Sequence, residues 1–372
     1  MSGSSYSPEL LSPRPLRILH FTCARSFDLK FLFNPLLNDA QTGVHYFAVG
    51  QSGFAHDRAL LRGQLLELLR AWQLLWQGRG SENHFSIAYC HTTRFALLPL
   101  LMSRLLGVGQ VIYFNHGVPY LGHQGPVRWA LWMLEQVNMA VAHRVLTVSP
   151  SMARVLRPSD ADNPWRYSTF PGSSSGLRQA DYVHPSTVRL GRRMMTRPGV
   201  RYLYAGRLQR RKGIFILLQA WEAHCAQFTD DELWLCGFDE QQLAAAKGEF
   251  ASLPRVVVKG YVTQMAAVFA NVDVVISPSF HEGFGYTLLE GAARGCAIVS
   301  SRVPGPEIMF TSRMQHLLFS AGDATGLAEV MSCLSSSPRM LALAKCLSYR
   351  SARRFEMNRL AYPHISSALI SN

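Results

Sequence analysis

Val272-Asp273-Val274-Val275-Ile276-Ser277-Pro278 runs directly into Ser279-Phe280-His281-Glu282-Gly283-Phe284-Gly285-Tyr286-Thr287-Leu288-Leu289-Glu290, and parsing these nineteen residues narrows the folds open to the chain. The β-branched run reads as a buried strand, the glycines that follow as a loop, and residues 286–294 as an apolar helix. Glu282 then sits on the loop and Glu290, eight residues on, about one turn into the helix. The backbone N–H groups at a helix start have no intrahelical acceptor and make an anion site. A phosphate held there would have a carboxylate on either side to accept hydrogen bonds from hydroxyl groups, which is the pattern a nucleotide-sugar requires. The same strand, loop and helix also fit any doubly wound α/β protein, with one glutamate as a cap and the other solvated.

The chain around this stretch has 372 residues, 48% of them hydrophobic and 16% charged, enough to bury two cores of ordinary size and too apolar to be disordered. Its formal net charge is +13, carried by arginine, because lysine occurs only at positions 30, 212, 247, 259 and 345. Arginine excess suits phosphates, anionic membrane or nucleic acid, and also fits a simple compositional bias. The basic residues are not interleaved with aromatics as a single-strand platform needs, and no helix-turn-helix, zinc-finger or RNA-recognition signature is present, so nucleic acid is not an expected partner. The seven cysteines are dispersed without a C-x-x-C pair, which points to a reducing compartment. Residues 1–15 are rich in Ser and Pro and lack the apolar centre of a signal peptide. The densest apolar runs, 96–106 and 129–148, are broken by polar residues and read as amphipathic helices rather than membrane spans.

Strand-like runs alternate with helix-like ones along the whole chain. Strands are expected over 16–21, 46–49, 85–90, 110–114 and 144–148, with helices over 60–76, 95–106, 127–142 and 152–156, the last capped by Ser149. Residues 182–199, weakly periodic and rich in Arg, Ser, Thr and Pro, read as a connection. A second alternation has strands over 201–205, 232–236, 255–259, 272–277 and 296–300, and helices over 213–225, 241–251, 262–270 and 286–294. The segment 335–372 reads as a helical tail broken by Pro363. Such alternation predicts parallel sheets, with the carboxyl ends of the strands along one cleft.

Three further motifs fall at strand ends. Gly206-Arg207-Leu208, followed by Lys212-Gly213 at a helix start, supplies two cations beside open amides and reads as a phosphate grip, or as a solvated basic turn. Asn115-His116-Gly117 ends a strand of the first half, where a neutral histidine would suit a sugar hydroxyl; a structural histidine is the alternative. Pro304-Gly305-Pro306-Glu307 places Glu307 near the cleft, or is only a turn. No H-E-x-x-H, Asp-x-Asp, G-x-S-x-G or Walker A pattern is present, and Gly283-Phe284-Gly285 is an isolated G-x-G.

Taken together, Gly206-Arg207-Leu208, Lys212-Gly213, the glutamate pair and Pro304-Gly305-Pro306-Glu307 resemble the retaining glycosyltransferases of family 4, with their E-x7-E motif, and Asn115-His116-Gly117 resembles that family's first-domain histidine motif. The likeness covers about 201–323 closely and the first half loosely. It implies an α/β chain of GT-B fold, two Rossmann-like parallel-sheet domains facing each other across a cleft: an acceptor-side domain over 1–180, a linker over 181–199, a nucleotide-sugar domain over 200–350, and a tail over 351–372 packing back on the first domain. It implies catalytic roles for Glu282, His116, Arg207 and Lys212. Donor contacts would come from Gly206, Arg207, Lys212, Gly283, Phe284, Gly285 and Glu290, the last on the ribose. It implies no metal and no other cofactor. The expected reaction moves a hexose-type sugar from a nucleotide-diphosphate sugar to a glycan or lipid-linked acceptor of bacterial polysaccharide, in the cytoplasm and at the inner face of an anionic membrane. Nucleotide-sugar epimerisation, phosphorolysis, or a basic nucleic-acid- or membrane-binding role are the alternatives. Two departures stand out: residues 21–28 lack the glycine pair usual after the first strand, and Val303-Pro304-Gly305 stands where the family often has two glycines.

Overall fold

Two parallel sheets of six strands each organise the chain. The computed structural model describes residues 17–22, 43–48, 58–81, 84–91, 93–160, 163, 166–169, 177, 179–190, 198–247 and 253–356. The first sheet is built from β1 (Arg17–Thr22), β2 (Gly43–Ala48), β3 (Ile87–His91), β4 (Gln110–Asn115), β5 (Arg144–Thr147) and β6 (Tyr167–Thr169). Between them lie helices α1 (Arg58–Gly78), α2 (Leu97–Leu105), α3 (Gly125–Val141) and α4 (Pro150–Leu156). The spatial order is β2-β1-β3-β4-β5-β6. From β2 onward the chain crosses the sheet in one direction, and right-handed crossovers therefore put α1, α2 and α3 side by side on one face.

A helix α5 (Pro185–Leu190) precedes the second sheet. Its strands are β7 (Arg201–Ala205), β8 (Glu232–Cys236), β9 (Val256–Gly260), β10 (Val274–Ser277), β11 (Ala297–Ser301) and β12 (Leu318–Phe319). Its helices are α6 (Ile214–Cys225), α7 (Glu240–Lys247), α8 (Met265–Phe269), α9 (Tyr286–Ala293), α10 (Ala324–Ser336) and α11 (Pro338–Ala352). The order β12-β11-β10-β7-β8-β9 reverses direction between β7 and β10, which makes the carboxyl ends of those two strands the switch point of the sheet. The strands are continuous apolar runs because both faces are covered; β11 is buried along its whole length. Each sheet anchors its own hydrophobic core.

The sequence reading anticipates most of these elements and differs at several. Strands β6 and β12 are three and two residues long, too short for periodicity to reveal. The connection expected over 182–199 contains α5, begun by Pro185, whose fixed φ suits a first helical turn. The tail expected over 335–372 holds the end of α10, all of α11 and a 3-10 turn, Arg353–Phe355, with 357–372 outside the described residues: α10 ends where Pro338 cannot continue it, and Ser337 Oγ caps α11 by accepting from Met340 N at 3.3 Å. Ser149 caps α4 as expected, accepting from Met152 N at 3.2 Å. Residues 23–28 and Pro363 lie outside the described residues.

Candidate active site at the switch point

The loops after β7 and β10 are tied to each other. Gly213 adopts a left-handed φ of 70°, and a Cβ there would fall on the Pro278 carbonyl oxygen, so the tight approach of the two loops requires glycine. Phe280 N donates to Arg211 O at 2.9 Å across the same junction. Lys212 closes a 3-10 turn, Arg210–Lys212, rather than opening a helix directly. Tyr204, on β7, donates its hydroxyl to Arg207 O at 2.9 Å and fixes the backbone beneath that arginine.

These contacts surround a cavity of about 620 Å³. Arg207, Arg211 and Lys212 line one wall, Ser279 with His281 to Gly285 another, and the start of α9 the floor. The Lys212 ammonium donates to Glu282 Oε2 at 2.5 Å, with Ser279 Oγ at 3.4 Å from the same oxygen and Gly283 N donating to Oε1 at 3.2 Å. Burial alone would raise the Glu282 carboxyl; Lys212, His281 and the Gly283 N–H outweigh it, and its pKa lies below the usual carboxylate range. Three cations thus face one carboxylate. Among the described residues Arg207 and Arg211 form no salt bridge, and burial and the nearby Arg207 charge lower the Arg211 pKa. A group bearing two or more negative charges would balance this wall.

The first lobe reaches the same cavity through His116. Its ring stacks on Phe114 at 4.3 Å between centroids, and its Nε2 lies 2.7 Å from His91 Nδ1, whose Nε2 is in turn 3.2 Å from His20 Nδ1. Burial depresses the His116 pKa to about 4 and that of His20 to about 3. His91 is also held well below its ordinary value, by burial and then by its two histidine neighbours. All three rings are neutral near pH 7, so each contact pairs one N–H with one lone pair and the three tautomers are linked. Behind them, Asn115 Nδ2 donates to Glu135 Oε1 at 2.6 Å while Asn115 Oδ1 accepts from Gly117 N at 3.0 Å, which sets the turn carrying His116. Burial raises the Glu135 pKa to about 7.

The two lobes touch here. A Cβ at Gly283 would fall on the His116 carbonyl oxygen, so glycine permits the contact. The His281 ring lies against Gly117, and its Nε2 is buried without a hydrogen-bond partner among the described residues; burial lowers its pKa to about 4.

Of the residues singled out in sequence, Gly206, Arg207, Lys212, Glu282, Gly283, Phe284, Gly285 and His116 line the cavity together. Glu290 does not: it lies one turn into α9, where burial and the Asp181 carboxylate raise its pKa against the pull of Arg294. Glu307 is the second residue of a 3-10 turn, Pro306–Met309, and is likewise absent from the lining. Arg211, His281, Tyr204 and Ser279 were missed as site residues. Arg211 and His281 each adjoin a residue that was singled out, but nothing local distinguishes them from solvated neighbours.

Comparisons with known proteins bear on this arrangement. Residues 199–337 match the family Glycosyl transferases group 1. The whole described architecture superposes on the structure of Anabaena Alr3699/HepE in complex with UDP and glucose, with a TM-score of 0.69, 16% identity, and coverage of 96% of this chain and 100% of that one. The fold is GT-B. Over 128 residues the chain is 31% identical to the lipopolysaccharide core biosynthesis glycosyltransferase LpsE of Rhizobium meliloti, covering 34% of this chain and 36% of the relative. It is 21% identical over 224 residues to the capsular polysaccharide biosynthesis glycosyltransferase CapM of Staphylococcus aureus, covering 59% of each. The matches thus span about a third to three-fifths of those relatives' length. In this GT-B chain the matched segment contains β7 to β12 and all of the cavity except His116.

Proposed function

We propose that the protein is a glycosyltransferase that uses a nucleotide-diphosphate sugar. The observation that carries the reading is the cationic cavity at the β7–β10 switch point, inside the segment matching the glycosyl transferases group 1 family. In this reading the donor diphosphate sits over the start of α9, against Arg207, Arg211 and Lys212. Fixed cations favour a departing diphosphate over an intact ester, because its charge grows as the sugar–oxygen bond lengthens. That arrangement supplies the charge balance a divalent metal would otherwise bring, so no metal or other cofactor is proposed. Glu282 holds hydroxyls of the transferred sugar, His116 and His281 meet the sugar from opposite sides of the lobe contact, and Glu290 takes the ribose hydroxyls outside the diphosphate cavity.

Retention at the anomeric carbon, a hexose-type sugar, and a glycan or lipid-linked acceptor of bacterial polysaccharide or lipopolysaccharide assembly complete the proposal. They are supported by the resemblance of the glutamate pair to E-x7-E and by relatives named for lipopolysaccharide core and capsule biosynthesis. A thermal-shift screen against UDP- and GDP-sugars tests the donor: a ligand of the folded state raises the melting temperature by mass action. No shift with any nucleotide-sugar, or conversion of one without an acceptor, would defeat the transferase reading.

A further inference from the structure

The outer face of the first lobe is apolar where a solvated helical layer should be polar. Sixteen large hydrophobic side chains are exposed among the described residues; thirteen of them lie on α1, α2 and α3, so the exposure has one location. On α1, Leu65, Leu69, Trp72 and Trp76 follow helical spacing along one outward stripe. On α2 the stripe is Leu98, Leu101 and Leu105, the last 68% exposed. On α3 it is Trp129, Met133 and Val137, flanked by Trp132, with Trp129 63% exposed. Because the three helices lie side by side on one face of the sheet, the stripes form a continuous layer.

Charge singles out the occupant. Among the described side chains of the three helices the exposed cations are Arg70, Arg104 and Arg128, against two acids, Glu67 and Glu135. Glu135 is buried, and Glu67 is paired to Arg70 at 2.9 Å. A layer of tryptophan and leucine edged by arginine matches the interface of an anionic bilayer, where indole rings sit at headgroup depth and guanidinium groups meet lipid phosphates. A second copy fits less well, since a two-fold contact would set this face and its arginines against themselves. No described helix is long and apolar enough to cross a membrane, so contact would be lateral and shallow.

We propose that the outer face of α1, α2 and α3 docks the protein on anionic lipid bilayers. This goes beyond the proposed function, giving the first lobe a surface of its own, and its test needs no nucleotide-sugar. The full chain is sedimented with vesicles of phosphatidylcholine alone and with phosphatidylglycerol added. Binding is expected to the mixed vesicles, weakening as salt rises. The combined Trp129→Ser and Trp132→Ser variant should lose at least about tenfold in partitioning, and the Arg70→Ala and Arg128→Ala pair should lose the preference for anionic lipid. As a check independent of variants, brominated lipids should quench the fluorescence of the unmodified protein, because four of its seven tryptophans lie on this face. Absence of binding to anionic vesicles at low salt, undiminished binding by the tryptophan variant, or a stable dimer in solution that this variant breaks would each overturn the proposal. None of these outcomes bears on the donor cavity, so the two proposals fail separately.

Discussion

The second lobe faces the cleft with ions, Arg207, Arg211, Lys212 and Glu282, whereas the first faces it with His116 at the end of a buried histidine chain. His20 and His91 are buried, Glu282 and His116 half-buried and Arg207 exposed, and the contrast shows what decides whether a group drawn out of water keeps its charge. Glu282 stays ionised because Lys212 stands 2.5 Å away. His20, His91 and His116 meet one another through their ring nitrogens, and burial strips their protons instead. One wall can therefore stabilise a departing anion, while the other offers neutral donors and acceptors to hydroxyl groups. The outer layers differ as well: among the described residues thirteen exposed large hydrophobics sit on the helices of the first lobe, against Tyr261, Phe280 and Leu343 on the second.

The sharpest way to break the contrast is to remove the ions. Lys212→Ala and Glu282→Ala should each lower sugar transfer by about a hundred- to a thousandfold with a defined donor, with the chain still folded by circular dichroism. Full activity in both would refute the roles assigned to the pair. Gly283→Ala tests the point where the walls meet: its Cβ would press on the His116 carbonyl, and kcat/KM should fall by about ten- to a hundredfold as the lobes part. A variant as active as the parent would mean that lobe contact is dispensable.

Acid should separate the lobes next. The depressed histidine pKa values belong to the folded state, and the unfolded chain takes up protons below its ordinary value of 6.5. The stability they confer is complete above pH 6.5 and is lost as pH falls toward about 4 for His116 and about 3 for His20. Between pH 6.5 and 5 the first lobe should lose about 2 kcal/mol per histidine, read by denaturant unfolding followed at first-lobe probes. His20→Gln should flatten that slope; an unchanged slope would remove the histidine chain from the explanation. The smallest effect is expected at Glu135, whose raised pKa gives the opposite sign: its contribution is full below 4.5 and lost as pH rises through about 7. Glu135→Gln should therefore stabilise the protein by about 1–2 kcal/mol at pH 8 and leave it unchanged at pH 4. A loss at pH 8 would show that the carboxylate is needed by Asn115 in its charged form.

How much of the site was legible in sequence follows from how local its parts are. Glu282, Gly283 and Gly285 share one loop, and Arg207 and Lys212 another, so strand-end position and spacing exposed them. His116 was legible as a strand-end motif, yet its partners His91 and His20 were not, because they lie 25 and 71 residues away from the rings they meet. The amphipathic reading of 96–106 and 129–148 found helices α2 and α3, and periodicity alone gave no sign that apolar stripes on both would face outward.

By itself the sequence determined two alternations of strand and helix, and which cations and carboxylates end the strands, because both depend on neighbours within a few residues. Tertiary structure alone decided the rest. The reversal of strand order between β7 and β10 brings Lys212 to Glu282 across seventy residues, while the turn of α9 leaves Glu290 beside Asp181 and outside the cavity lining. The order β1-β3-β4 lines up three histidines. Which charges survive burial is a matter of distances across the sheet, and no local spacing encodes those distances.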